Sequence, residues 1–315
     1  WTFGGRWNPE TLPPTLPHAA VPGPEDGWRW ADPGGVTLRW TPGRDATAHR
    51  VFFGPDHSPP LRVEQLRNTF DTGPLVPGAT YHWRVDTVAA DGVVPGRPWT
   101  FRADDRAVRI VLAGDSTVTE ASGWGRGFKA RVSASAAVVN LARGGRSSKS
   151  YRNEGHWAEV LRRRPTHVLI QFGHNDQPGK GQDRETDLPA FRANLERYVD
   201  EARGAGAQSV IVTPLTRRRF APDGRVDSDL GAYADAARAV AAAKGVPCID
   251  LHARSIALLD SMGRERGLAL GPAKTDGTTD NTHLSDEGSA LFGALVAAEL
   301  ARVLPALAPV VRVLP

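Results

Sequence analysis

The spacing of hydrophobic and polar positions changes about a third of the way along the chain. Between residues 27 and 103 apolar side chains recur at every second position: Val36, Leu38 and Trp40 around Thr37 and Arg39, then Val51 and Phe53, then Tyr81, Trp83 and Val85 against His82, Arg84 and Asp86. A strand sends successive side chains to opposite faces, so this pattern, broken by Pro and Gly, predicts short antiparallel strands in a small all-β sandwich. From residue 107 onward, short apolar runs at 108–113, 137–141, 167–172, 209–213 and 247–250 alternate with helix-like segments at 125–133, 189–204, 230–244, 254–262 and 285–303. Regular alternation of this kind predicts an α/β unit: a parallel five-stranded sheet with helices on both faces. No repeat of 20 to 50 residues is present.

Three regions follow. Residues 1–24 hold six prolines and the scattered aromatics Trp1, Phe3 and Trp7, which suits an extended segment. Residues 25–104 form the sandwich, Ala103-Asp104-Asp105-Arg106 reads as a linker, and residues 105–315 form the α/β unit. A chain of 315 residues is long enough for two domains, about 200 residues for the α/β unit and about a hundred for the rest.

Four blocks carry candidate chemistry. Gly114-Asp115-Ser116-Thr117 follows the first apolar run; Asn140-Leu141-Ala142-Arg143-Gly144-Gly145-Arg146-Ser147 follows the second; Gln171-Phe172-Gly173-His174-Asn175-Asp176 follows the third. Open parallel sheets bind ligands beyond the carboxyl ends of their strands, so these three loops converge on one crevice. The fourth block, Asp280-Asn281-Thr282-His283, precedes the last predicted helix, whose N-cap is assigned to Ser285. A serine hydroxyl needs a base near neutral pH, and the base needs a partner that fixes its tautomer and stabilises its cation. Ser116, His283 and Asp280 fit those roles.

In this order the four blocks resemble the SGNH, or GDSL-type, hydrolase superfamily, and within it the rhamnogalacturonan acetylesterase-like carbohydrate esterases, over roughly residues 107 to 304. The closer likeness rests on Gly145-Arg146-Ser147-Ser148-Lys149-Ser150-Tyr151, on Phe172-Gly173-His174-Asn175-Asp176 and on Asp280-x-Thr282-His283, with Thr117 where many superfamily members have leucine. The resemblance implies a flavodoxin-like fold, Ser116 as nucleophile, a triad completed by Asp280 and His283, and an oxyanion hole made by the N-H groups of Ser116 and Gly145 with the Asn175 amide. It further implies removal of O-acetyl groups from polysaccharide, most directly pectic rhamnogalacturonan, through an acyl-enzyme on Ser116 and without cofactor or metal. In the sandwich, Leu75-Val76-Pro77-Gly78-Ala79-Thr80-Tyr81-His82-Trp83-Arg84-Val85 and Gly96-Arg97-Pro98-Trp99-Thr100-Phe101 resemble a fibronectin type III domain, Tyr81 standing at its tyrosine corner.

The substrate side is more open. Arg146, Tyr151, Trp157 and Trp124 are candidates to hold sugar, core packing being the alternative for each aromatic and the preferred one for Trp124. Arg217-Arg218-Arg219 follows the fourth predicted strand and is a candidate for galacturonate carboxylates, an exposed basic turn being the alternative. Xylan or a bacterial gum are alternative acetylated polymers, lipid or thioester acyl groups alternative substrates, and a glycan-binding protein with an idle hydrolase unit a non-enzymatic alternative.

Composition changes the picture little. The 39 basic and 35 acidic residues leave a net charge of +4, and only five of the 39 are lysine; the arginine bias runs along the whole chain and reads as composition, with bidentate binding of the carboxylates of an acidic polysaccharide by some of them as the sharper alternative. No basic run with interleaved aromatics suggests nucleic acid. A single cysteine, Cys248, excludes an intrachain disulfide, and the histidines outside the fourth block show no metal-ligand spacing. Neither a Gly-x-Ser-x-Gly elbow nor a phosphate loop occurs, and no apolar run approaches the ~18 residues a bilayer span needs. The chain opens at Trp1 with no methionine and no charged-then-apolar stretch, giving the expectation of a secreted or cell-surface protein whose export signal was removed, a trimmed chain being the alternative.

Overall fold

The computed structural model describes residues 16–273, 277 and 279–312; the expected extended segment 1–24 therefore lies outside the described residues as far as residue 15. The chain divides into two compact units, Trp1–Asp105 and Arg106–Pro315.

Among the described residues the first unit has nine strands: β1 (Ala20–Gly23), β2 (Trp28–Ala31), β3 (Thr37–Thr41), β4 (Ala48–Gly54), β5 (Leu61–Gln65), β6 (Thr69–Asp71), β7 (Thr80–Ala89), β8 (Gly92–Val94) and β9 (Trp99–Ala103). One sheet runs β1-β3-β6 and the other β2-β9-β7-β4-β5, with β8 on β7. All pairings are antiparallel except β2 on β9, which is parallel. The side chains that set the period-two pattern, Leu38, Trp40, Val51, Phe53, Tyr81, Trp83 and Val85, share one buried cluster with Trp99 and Phe101. The Tyr81 hydroxyl accepts a hydrogen bond from Val76 N-H at 2.9 Å, which pins the turn before β7.

In the second unit β10 (Val108–Gly114), β11 (Ala136–Asn140), β12 (His167–Gln171), β13 (Gln208–Val212) and β14 (Cys248–Ile249) form one parallel sheet in the order β11-β10-β12-β13-β14. The helices are α1 (Gly125–Lys129), α2 (Ser148–Asn153), α3 (His156–Arg162), α4 (Leu188–Gly204), α5 (Gly231–Lys244), α6 (Leu251–Met262), α7 (Arg264–Ala269) and α8 (Asp286–Val303). Strand β10 is buried on both faces. Ile110 and Leu112 enter a core with Phe128, Phe292, Val296 and Leu300, while Val111 and Ala113 enter another with Phe191, Leu195, Tyr198 and Val240. That two-sided burial explains why β10 reads as a nearly continuous apolar run.

Helices α2, α3 and α7 were not expected from the sequence. At six or seven residues each they are too short for a 3.6-residue period to show, and α2 is set by its cap instead. Ser147 accepts from Ser150 N-H and its own N-H bonds the Ser150 hydroxyl, a reciprocal box with Ser in place of the usual Glu or Gln. Helix α1 stops at Lys129 rather than at 133. Because β11 and β12 flank β10 on opposite sides, the chain reverses direction across the sheet at the end of β10, and the loops after β10, β11 and β12 open at that point.

Candidate active site

The loop after β10 is built from inside. Asp115, fully buried, accepts from Thr117 N-H at 2.9 Å and from the Thr117 hydroxyl at 2.7 Å. Thr117 in turn accepts from Gln171 Nε2 at 2.6 Å, and Gln171 Oε1 accepts from Trp124 Nε1 at 2.9 Å. This buried chain ties the turn to β12 and gives Thr117 a polar role that leucine could not fill. The Ser116 carbonyl is fixed from the other side by the hydroxyls of Thr119 at 2.7 Å and Ser122 at 3.0 Å. The Ser116 side chain is thereby held at the rim, half-buried.

Asp280 closes its own turn. One carboxylate oxygen accepts from Thr282 N-H at 2.7 Å and His283 N-H at 2.9 Å, and the other lies 2.8 Å from His283 Nδ1. Burial works against the charged carboxyl, yet these N-H bonds and the adjoining imidazole outweigh it and bring Asp280 down to about 2. His283 Nε2 lies 2.9 Å from Ser116 Oγ, so the hydroxyl, imidazole and carboxylate form one line. Ser285 accepts from Gly288 N-H at 3.2 Å and starts α8 directly after that line, as the sequence suggested.

Gly145 has φ +76°, a conformation that glycine takes at no steric cost. A Cβ on its neighbour Gly144 would stand 3.8 Å from Ser116 Cβ, so the loop after β11 abuts the serine. Asn175 donates through Nδ2 to the Arg146 carbonyl at 3.1 Å, which brings its amide against the same loop and leaves a second amide hydrogen for the crevice. Among the described residues neither Ser116 N-H nor Gly145 N-H has an acceptor in the protein. Beside Asn175, Asp176 is buried and accepts from Ser148 N-H at 3.0 Å and from its hydroxyl at 2.6 Å. Burial is the largest influence on it and pushes the carboxyl up to about 7, the Ser148 bonds opposing and the Asp115 charge reinforcing the rise.

Several substrate candidates are corrected. Tyr151 is fully buried with its hydroxyl on the Leu141 carbonyl at 2.8 Å, and Trp157 is 3% exposed with Nε1 on Glu201 at 2.7 Å; neither presents a ring face to a sugar. Trp124 is core, as preferred. The three adjacent arginines are not a basic patch. Arg217 is 8% exposed and bonds Asp229 at 2.6 Å and Gln177 at 2.8 Å, and Arg219 pairs with Asp227 at 2.9 Å and Asp229 at 3.0 Å. Arg218 is 1% exposed and donates to the backbone carbonyls of Asp280, at 2.6 Å, and of His283. Burial lowers it to about 10, which leaves it a cation at neutral pH. Paired carboxylates and inward burial thus consume the charge that an adjacent-arginine motif suggested. Arg146 stays beside the crevice, but its guanidinium is committed to Glu154 at 2.8 Å and the Gly144 carbonyl at 2.9 Å.

Sequence reasoning also missed His174, 3% exposed, whose Nδ1 lies 3.5 Å from Asp115, an ion-pair separation longer than a formed hydrogen bond. Its place one residue before Asn175 was the available signal. Among the described residues no cluster of His, Cys, Asp and Glu could hold a metal ion, and no helix is long and apolar enough to cross a membrane.

A parallel sheet carrying serine, histidine and aspartate on its carboxyl-end loops defines a carboxylic ester hydrolase of the GDSL type. The GDSL-like Lipase/Acylhydrolase family matches residues 112–291, a span that holds all four blocks, and the chain belongs to that family. Rhamnogalacturonan acetylesterase RhgT of Bacillus subtilis (strain 168) is 36% identical over 209 residues, covering 61% of this chain and 89% of the relative. A rhamnogalacturonan acetylesterase of Emericella nidulans is 28% identical over 209 residues, covering 59% and 81%. The crystal structure of protein YxiM from Bacillus subtilis shares the fold with a TM-score of 0.58 at 24% identity, over 85% of this chain and 76% of that one.

Proposed function

We propose that this protein is a serine esterase that removes O-acetyl groups from polysaccharide, with pectic rhamnogalacturonan as its first substrate. The observation that carries the reading is the continuous line from Ser116 Oγ through His283 to Asp280, at 2.9 and 2.8 Å. Ser116 Oγ attacks the acetyl carbonyl carbon while His283 Nε2 takes the hydroxyl proton. Asp280 fixes the tautomer in which Nδ1 carries hydrogen and stabilises the imidazolium that forms. The carbonyl oxygen, now an anion, is met by the N-H groups of Ser116 and Gly145 and by the free hydrogen of the Asn175 amide. Fixed donors aimed at developing charge in a site of low polarity supply the largest share of such catalysis. Collapse breaks the ester C-O bond, and the sugar oxygen leaves with the proton from His283. Water, deprotonated by the same histidine, then releases acetate and restores Ser116.

The choice of acetylated polymer is supported by the two acetylesterase relatives, which the chain covers over most of their length. A polymer of that size does not cross a cell membrane, so the same reading puts the enzyme outside the cell or on its surface. The sandwich reads as fibronectin type III-like, supported by the Tyr81 hydroxyl bonded back to Val76 N-H.

Acetate release from acetylated rhamnogalacturonan, xylan and bacterial gums, by wild type and by Ser116→Ala, tests the proposal. Release from the pectic polymer by wild type alone is expected. Rates on synthetic esters that climb with acyl chain length would instead assign the site to lipid or thioester substrates.

A further inference from the structure

Arg184 is a cation beside the crevice whose guanidinium the described residues leave unpaired. Arg184 lies on the segment after Asn175, and a Cβ placed on Gly145 would stand 3.9 Å from its Nη1. Its guanidinium is exposed and, among the described residues, has no carboxylate or carbonyl partner. Arg146, by contrast, is held by Glu154, Arg217 and Arg219 by Asp229, and Arg218 by the carbonyls behind the triad; Arg143 is likewise unpaired among the described residues, but Arg184 is the one whose Nη1 reaches Gly145.

The backbone under Arg184 is fastened at several points. Arg184 N-H donates to the Gly181 carbonyl at 2.9 Å, and the Arg184 carbonyl accepts from the Thr186 hydroxyl at 2.9 Å. Thr186 N-H reaches the Asp176 carbonyl at 2.9 Å, and the buried Tyr233 hydroxyl bonds the carbonyls of both Asp176 and Thr186. Of the two carboxylates adjacent in sequence, Glu185 is taken up by the N-H groups of Gly179 and Gly181, and Asp183, exposed on the other side, makes no ion pair with the Arg184 guanidinium among the described residues. Lys149 holds the Gln182 carbonyl at 2.6 Å. A free guanidinium on an anchored loop, next to the donors proposed for the oxyanion, is a site for a second anion.

We propose that Arg184 forms a carboxylate subsite beside the oxyanion hole and binds a uronate carboxylate on the esterified sugar or its chain neighbour. The planar fork of a guanidinium matches a carboxylate with two parallel N-H bonds, and Arg184 has them to give. The acetyl carbonyl would be presented with the polymer registered through this contact. This rests on the esterase reading above and adds the charge of the substrate to it.

The test compares one acetylated uronate polymer with the same polymer after its carboxyl groups are reduced to alcohols, leaving acetylation matched. Wild type should show a higher kcat/KM on the acidic form, chiefly through KM. Arg184→Gln should lower the ratio of acidic to reduced activity by about tenfold, the size of one solvent-accessible charge-assisted contact, and Arg184→Glu should lower it further. Arg184→Lys should keep part of the preference, since the charge remains but the fork is lost. Salt should erode the wild-type ratio as the Debye length falls to ~10 Å at 0.1 M. Equal losses on both polymers would overturn the subsite and give Arg184 a general role; an unchanged ratio would overturn it too, with the esterase reading intact. No acetate from either polymer, while p-nitrophenyl acetate is still cleaved, would remove the polysaccharide reading and this inference with it.

Discussion

Arg218 donates a hydrogen bond to the backbone carbonyl of Asp280 at 2.6 Å, from a guanidinium that is 1% exposed. It also bonds the His283 carbonyl, and its own N-H bonds Asn281 O at 2.8 Å, so one residue grips the turn that carries the acid and the base. Gly271 completes the contact, since a Cβ there would fall 2.2 Å from Asp280 O and 2.5 Å from Arg218 Nη2.

Arg218→Met should therefore lower kcat by about ten- to a hundredfold with a smaller change in KM, the range for losing hydrogen bonds from a charged group. Arg218→Lys should recover part of the loss because an ammonium can still donate to the same carbonyls. Steady-state kinetics on a small acetyl ester measure both. A folded Arg218→Met enzyme with normal kcat would show that the turn holds its shape without the guanidinium.

Ser116 and His283 should act as a unit. Ser116→Ala and His283→Ala are each expected to reduce turnover by ~10⁴-fold or more, and the double variant to lose little beyond that. Additive losses would mean that the two side chains serve separate steps.

Asn175→Ala should lower kcat by about a hundredfold, or ~2.7 kcal/mol, and leave KM close to wild type. A rise in KM alone would make the amide a substrate-positioning group.

Asp176 gives stability a particular pH dependence. Its carboxyl titrates at about 7 in the folded protein and near ~3.9 when unfolded, so between those values the native state binds more protons than the unfolded chain. Stability should consequently fall as pH rises from 4 to 7, by an amount on the order of a few kcal/mol, and level off above that. Asp280 acts in a different window: with its carboxyl at about 2 in the folded state, its contribution is lost only as pH falls below ~4 toward 2. Denaturant melts of wild type and Asp176→Asn from pH 4 to 8 check this, and an equal slope in both proteins would exclude Asp176 as its source.

A chain beginning at Arg106 should fold and cleave a small acetyl ester, since the second unit contains its own two cores and all four blocks. Its polymer activity, measured beside the full chain, reports what the sandwich adds. An insoluble or inactive product on the small ester would make the first unit part of the catalytic body.

Asp280 and His283 were legible because their relationship is local: a carboxylate three residues ahead of the imidazole caps the same turn through two N-H bonds. The sheet was legible because every strand but the shortest is a distinct apolar run. Arg218 was not, since three consecutive arginines carry no mark of which one turns inward; that is decided by the carbonyls of residues more than sixty positions away. The Asp115-Thr117-Gln171-Trp124 chain was hidden for the same reason, as it depends on β10 lying beside β12 in one register. Arg184 gave no signal at all, because only the approach of its loop to Gly145 distinguishes it from the other arginines.

The nucleophile and its base stand 167 positions apart in the chain. A ribosome thus exposes Ser116 well before it has made His283, and over that interval the serine sits without a base. Synthesis itself keeps the hydrolase silent. Esters in the cell that makes it meet an inert alcohol until α8 and the turn before it have been translated and folded against β10.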